Sequence, residues 1–184
     1  MRITGGKARG IPLKVTSKGE IRPATDYLRE AVFSSLGPRV TGARVLDVFA
    51  GTGAYGLEAL SRGATHATWV EKNRAAAAAL ELNRAATAKS MGATDPLSLG
   101  EIRIADIFSW QSTQPQGYDF IFADPPYALL DTDGEKLLQR LLPWLAPGGL
   151  LILEAPGEFE PQTHTPIKRL GKGPRQPCAL FFEA

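Results

Sequence analysis

"ARVLDVFAGTGAYGLEALSRG", residues 43–63, passes from an apolar run through a glycine-rich turn into a helical pattern. Val45, Leu46, Val48 and Phe49 flank Asp47, and Gly51, Gly53 and Gly56 then complete G-x-G-x-x-G. The motif carries meaning in this strand–turn–helix setting, because glycines let the backbone approach a ligand that a side chain would hold away. Glu71 follows Gly51 by 20 residues and ends the apolar run "HATWVEK" (66–72). A carboxylate there accepts hydrogen bonds from ribose hydroxyls. These features predict a nucleotide-like ligand beyond the ends of parallel strands. A nicotinamide dinucleotide and S-adenosylmethionine (AdoMet) both fit, and a tight turn with no ligand is the plain structural alternative.

The flanking segments extend the same pattern. "NRAAAAALELNRAATAKSMG" (73–92) predicts a long helix with Asn73 as N-cap and Gly92 as its stop. "EIRIA" (101–105), "DFIFAD" (119–124) and "LLILEAP" (150–156) read as strands, and "GEKLLQRLLPWLAPGG" (134–149) as a helix ended by Pro147-Gly148-Gly149. Upstream, "RITGGKARGIPLKV" (2–15) reads as a hairpin. "TDYLREAVFSSLG" (25–37) reads as a helix capped by Thr25 or Asp26. The tail after His164 suggests two strands around a basic, Gly/Pro-rich turn. Alternating strands and helices predict an α/β layered sheet.

Composition narrows the classes. The 184 residues suit one domain, with 43% hydrophobic and 22% charged residues. No apolar run approaches a membrane span of about 20 residues. The start "MRITGGKARG" lacks the apolar centre of a signal peptide. With one cysteine, Cys178, and two distant histidines, His66 and His164, neither a disulfide nor a metal site is expected. A cytoplasmic, metal-free protein is the expectation. Net charge is +2, but unevenly spread: nine Lys/Arg against three Asp/Glu in residues 1–44, eight against fifteen in 45–163, and four against one in 164–184. An acidic body between basic ends can set positive potential beside a polyanion, although simple solvated charges give the same count.

The strand "YDFIFAD" (118–124) runs straight into Asp124-Pro125-Pro126-Tyr127. The two prolines fix carbonyl directions and remove backbone donors, leaving a corner biased toward accepting hydrogen bonds. An exocyclic amine of a nucleobase has the matching needs. Its nitrogen lone pair is delocalised, and acceptors on its N–H bonds, from Asp124 and the Pro125 carbonyl, turn that pair toward an incoming methyl group. Tyr127 offers a face for stacking an extruded base. Asp124 as an ordinary turn cap is the bland reading. Asp47, placed near the methionine end of a cofactor, and this corner both favour AdoMet over a dinucleotide.

"FAGTG" followed by "DPPY" resembles the amino methyltransferases. "MRITGGKARGIPL", "IRPATDYLREAVFSSL" and "VLDVFAGTGAYGLEALSRGA", in that order, resemble the bacterial 16S rRNA (guanine(966)-N(2))-methyltransferase family from Met1 to about Pro156. The resemblance implies a Rossmann-like class I AdoMet-dependent methyltransferase fold, a mostly parallel seven-stranded sheet with helices on both faces and a small N-terminal β-hairpin. It implies residues 1–24 as an RNA-contacting extension and 25–184 as the methyltransferase domain. Asp124, Pro125, Pro126 and Tyr127 are then catalytic, and Asp47, Phe49, Ala50, Gly51, Gly53, Glu71, Lys72, Asp106 and Ile107 contact AdoMet. Arg22, Thr25, Arg29 and Glu30 match a segment that closes over the site. Lys7, Arg9, Lys14, Arg22 and Arg29 are the expected RNA contacts. The expected partner is 16S rRNA in small-subunit particles, met by a monomer, with S-adenosylhomocysteine (AdoHcy) as product.

Ala24 and Tyr27 depart from the family's Thr-Thr-Asp-Arg string, and the tail is richer in proline. An adenine-N6 or cytosine-N4 DNA methyltransferase is the nearest enzymatic alternative, although the chain has no room for a large target-recognition segment. A glutamine-amide methyltransferase is another. A non-catalytic RNA-binding assembly factor is the alternative from a different class. A nicotinamide oxidoreductase is disfavoured, because no separate substrate domain offers a hydride-transfer acid or base.

Overall fold

A computed structural model describes residues 1–15, 24–171, 173 and 176–184. Its elements are α1 (Ala24–Leu36), β1 (Arg44–Val48), α2 (Ala54–Ser61), β2 (His66–Glu71), α3 (Arg74–Met91), β3 (Gly100–Ile104), β4 (Tyr118–Ala123), α4 (Tyr127–Leu141), β5 (Leu145–Pro156), β6 (Lys168–Leu170) and β7 (Pro177–Phe182). The seven strands form one sheet in the order β3-β2-β1-β4-β5-β7-β6. β1 to β5 pair in parallel, and β7 runs antiparallel to both β5 and β6. This is the seven-stranded, mostly parallel sheet expected from the sequence.

Alternation along the strands divides the core into two layers. Val45, Trp69, Phe120, Phe122 and Ile152 face α1, α2 and α3, while Leu46, Val48, Val70, Ile121 and Leu153 face α4. The strand order reverses between β1 and β4, where Val48 pairs with Ala123. The chain therefore leaves both strands at the same level, and the glycine turn and the Asp124 corner open into one crevice at the topological switch point.

Local chemistry explains the helix limits. Asn73 Oδ1 accepts from the Ala75 and Ala76 N–H groups, and Gly92 takes a left-handed conformation after Met91. Two expectations need correction. α4 begins at Tyr127, directly after Pro126, and ends at Leu141; Pro147-Gly148-Gly149 lies inside β5, where the β4 pairing shifts register. α1 begins at Ala24, so Asp26 sits in its first turn and pairs with Arg29 at 2.8 Å instead of capping the helix.

Residues 1–15 fold back as the sequence suggested, with an antiparallel bridge between Arg2 and Pro12. Ile3, Ala8 and Leu13 are buried in the α1–α3 side of the core. The Lys7 N–H donates to Ser61 O at 2.7 Å, and Asn83 on α3 holds both the N–H and the carbonyl of Lys14. This segment is clamped across α2 and α3, close to the mouth of the crevice.

Candidate active site

The crevice has two lobes, of about 390 and 220 Å³. Glu71, Lys72, Asp106, Ile107 and Asp124 through Tyr127 line the larger lobe. Asp47, Phe49, Ala50, Gly51 and Arg29 line the smaller one. Met1, Phe49, Asp124 and Glu154 border both lobes and mark their junction.

The turn after β1 is held by acids. Glu71 Oε2 accepts from the Gly51 N–H at 2.8 Å and Oε1 from the Asn73 N–H at 2.7 Å, so it fixes the loop as well as lining the larger lobe. Asp47 Oδ2 accepts from the Gly56 N–H at 2.9 Å. Burial pushes the Asp47 carboxyl well above the usual range; the Gly56 N–H and Arg29 oppose that, while Asp124 and Glu71 add to it. Phe49 is the one non-glycine residue with positive φ among the described residues, at 57°, in a conformation that bulky side chains rarely adopt. That strain sits at the junction.

The glycines divide their work. Gly51, at φ 53°, lines the smaller lobe, and a Cβ there would meet nothing closer than Phe49 O at 3.9 Å. Gly53 lines neither lobe; its Cβ would overlap Leu80 Cδ1 and lie 3.2 Å from Trp69 Nε1. A Cβ on Gly56 would overlap the Trp69 indole. Gly53 and Gly56 thus let α2 pack against α3 and β2, and only Gly51 leaves room on the ligand side.

At the rim, Asp106 Oδ1 accepts from the Phe108 N–H at 2.9 Å and its Oδ2 lies 3.6 Å from Lys72 Nζ. At the corner, Asp124 and Pro126 are exposed, Pro125 is buried and Tyr127 half-buried. Among the described lining residues, the two lobes hold five acidic side chains (Asp47, Glu71, Asp106, Asp124 and Glu154) and two basic side chains, Arg29 and Lys72, with Met1 bordering both. Such a crevice favours a cationic ligand and repels phosphate.

Arg29 requires a correction. Its side chain is 2% exposed, with Nη2 donating to Arg2 O at 2.5 Å and to Asp26 at 2.8 Å, and Nε lying 3.5 Å from Glu58. It ties α1 to the N-terminal segment and α2, and a guanidinium so enclosed does not reach an RNA phosphate. Lys7, Arg9 and Lys14 are exposed on the N-terminal segment, and Tyr27 is 78% exposed. Arg22 lies outside the described residues.

Glu154 escaped the sequence reading. It is 3% exposed, and Tyr55 donates its hydroxyl to Oε2 at 3.0 Å. Its signal was available in "LLILEAP", where an acid follows an apolar strand as Asp124 follows "FIFA". The two positions are neighbours, because Ala123 pairs with Leu153.

Comparison with known proteins agrees with this geometry. The family model described as Conserved hypothetical protein 95 matches residues 1–172. The ribosomal RNA small subunit methyltransferase D of Escherichia coli K12 is 36% identical over 159 residues, spanning 84% of this chain and 74% of that protein. The protein of the same name from Haemophilus influenzae is 30% identical over 154 residues, spanning 84% and 78%. The structure of a hypothetical protein from Thermus thermophilus superposes with a TM-score of 0.78 at 31% identity, covering 100% of this chain and 99% of its own. The chain belongs to the Conserved hypothetical protein 95 family, alongside the small-subunit ribosomal RNA methyltransferase D of E. coli.

Proposed function

We propose that this chain is an AdoMet-dependent methyltransferase that modifies the exocyclic N2 of one guanine, position 966, in 16S rRNA of the small ribosomal subunit. The observation that carries the reading is the shared crevice: the Asp124–Tyr127 corner and the Gly51–Glu71 turn line adjoining lobes with an excess of acid. AdoMet fits that charge, since its sulfonium and ammonium outweigh its carboxylate. Relatives named for small-subunit ribosomal RNA methylation support RNA as the other substrate.

Glu71 and Asp106 would hold the ribose and adenine side of AdoMet in the larger lobe, with Lys72 and Ile107 alongside. Asp47, Ala50 and Gly51 would face its methionine end. AdoMet supplies an already activated methyl, so the protein's work is positioning and electrostatics. Asp124 and the Pro125 carbonyl accept the two N–H hydrogens of the guanine amine and point its lone pair into the junction. Tyr127 stacks on the base. Asp124 would accept the proton that the amine gives up as it is methylated. Lys7, Arg9 and Lys14 hold RNA phosphates without reading sequence. The enzyme would act as a cytoplasmic monomer on assembling particles.

The test is incubation with labelled AdoMet and small subunits lacking the modification, followed by nucleoside mass spectrometry. N2-methylguanosine at one position is the expected product. N6-methyladenosine, or transfer only to DNA or a protein amide, would overturn the target.

A further inference from the structure

A further concavity, of about 420 Å³, lies between the N-terminal segment and the first turns of α1, outside both lobes of the crevice. Arg2, Thr4 and Arg9 line it from the segment, and Asp26, Tyr27 and Glu30 from the helix. Tyr27 is 78% exposed, whereas Leu28 and Arg29 beside it are buried, so an anchored helix presents this ring. A single exposed aromatic needs no explanation, but this one walls a concavity beside two arginines. The opposite wall is fixed as well. The Gly10 N–H donates to Ile3 O at 2.8 Å, and the Thr4 N–H to Glu58 Oε2 at 2.7 Å. The lining charges balance, with Arg2 and Arg9 against Asp26 and Glu30, so the concavity has no net charge with which to hold a phosphate inside it. It offers a flat aromatic face edged by hydrogen-bond donors and acceptors, which matches a nucleobase. Arg9 is exposed in the turn of the segment, where it suits the phosphate attached to that base.

The concavity adjoins the crevice. Met1 borders both lobes, and the next residue, Arg2, lines the concavity. Arg29 lines the smaller lobe and donates to Asp26, which lines the concavity. One peptide step and one side chain therefore separate the two spaces. We infer that Tyr27 is a base-stacking residue that receives an unstacked nucleobase next to the target base in the RNA strand, while the target itself enters the Asp124 corner. Extruding a base leaves its neighbours partly unstacked, and a second aromatic face recovers stacking lost there. Contacts to flanking nucleotides are a general source of context preference, so this site reads the strand where the phosphate contacts do not. The inference rests on RNA as the substrate, as proposed above, and is independent of which base is methylated.

Steady-state transfer from labelled AdoMet to unmodified small ribosomal subunits, over a series of salt concentrations, tests it with the native protein, Tyr27→Ala and Tyr27→Phe. Tyr27→Ala should raise KM for the subunits by about 5- to 100-fold, the loss expected for one base stack, with kcat changing by less than about threefold. The slope of log KM against log salt should keep its native value, because no phosphate contact is removed. Tyr27→Phe keeps the aromatic face and should return KM to within about threefold of native. Ultraviolet crosslinking of the native complex, read by mass spectrometry, should join Tyr27 to a nucleotide adjacent to the methylated one, without relying on a variant. A native KM in Tyr27→Ala, an equal rise in Tyr27→Phe, a reduced salt slope, or a crosslink from Tyr27 to a ribosomal protein would overturn the inference and leave RNA methylation standing. Failure of the native protein to methylate the subunits would overturn the RNA reading, and this inference with it.

Discussion

Substituting the glycines one at a time separates the ligand-facing turn from the packing beneath it. Gly51→Ala forces alanine into a left-handed conformation at φ 53° but meets no close atom. That conformation costs about 1–2 kcal/mol for a residue with a Cβ. Gly53→Ala incurs the same strain at φ 79° and also drives a methyl into Leu80 and toward Trp69. Overpacking of this kind adds about 1–3 kcal/mol, giving about 2–5 kcal/mol in total. With a urea m-value of about 2 kcal/mol/M, the unfolding midpoint should drop by roughly 0.5–1 M for Gly51→Ala and 1–2.5 M for Gly53→Ala. AdoHcy titration supplies the other axis. Gly51→Ala should lose more affinity relative to its stability loss, because its new methyl projects from the lobe wall and Gly53 lines neither lobe. Equal midpoint losses, or a smaller one at Gly53, would refute the assignment of Gly53 to packing.

Three other perturbations probe the surroundings. Arg29→Ala leaves Arg2 O and Asp26 without their donor and Glu58 with Arg62 as its remaining cation, and should cost about 1–3 kcal/mol of stability, read by urea unfolding. Lys7→Ala or Arg9→Ala should instead leave stability within about 0.5 kcal/mol. Each should weaken RNA binding and reduce the slope of log affinity against log salt by about one unit; an unchanged slope would deny the phosphate contact. Glu135 on α4 clasps the segment before β6. Desolvation pushes its carboxyl up, but hydrogen bonds from Thr163, His164 and the Gln162 and Thr163 N–H groups outweigh that and hold it at about 2, below its ordinary 4.5. A depressed carboxylate contributes stability above pH 4.5 that is lost as pH falls toward 2. Glu135→Gln should flatten the acid side of the stability profile in that window; a profile parallel to the native one would contradict the clasp.

Legibility followed the range of the interactions. The strand–turn–helix of residues 43–63 and the Asn73 and Gly92 caps were readable because their partners lie within a few residues. The start of α4 was missed because "ALLDTDG" masks its apolar face with polar residues, although Pro126 before Tyr127 marks a helix entry. Pro147-Gly148-Gly149 looked like a helix stop because the sequence does not display the partner strand whose register shifts there. Arg29 read as a surface charge because Glu58 and Arg2, which enclose it, sit 29 and 27 residues away. Glu154 was silent for the same reason, with Tyr55 99 residues distant.

The central claim is that the Asp124 corner presents a guanine amine to AdoMet held in the adjoining crevice. Its most direct test is single-turnover methyl transfer to unmodified small ribosomal subunits by the native protein and by Asp124→Ala, with AdoMet affinity measured in parallel. Asp124→Ala should slow transfer by about 10²–10⁴-fold while AdoMet affinity stays largely intact. Transfer at the native rate, or loss of AdoMet binding equal to the loss of rate, would contradict the account.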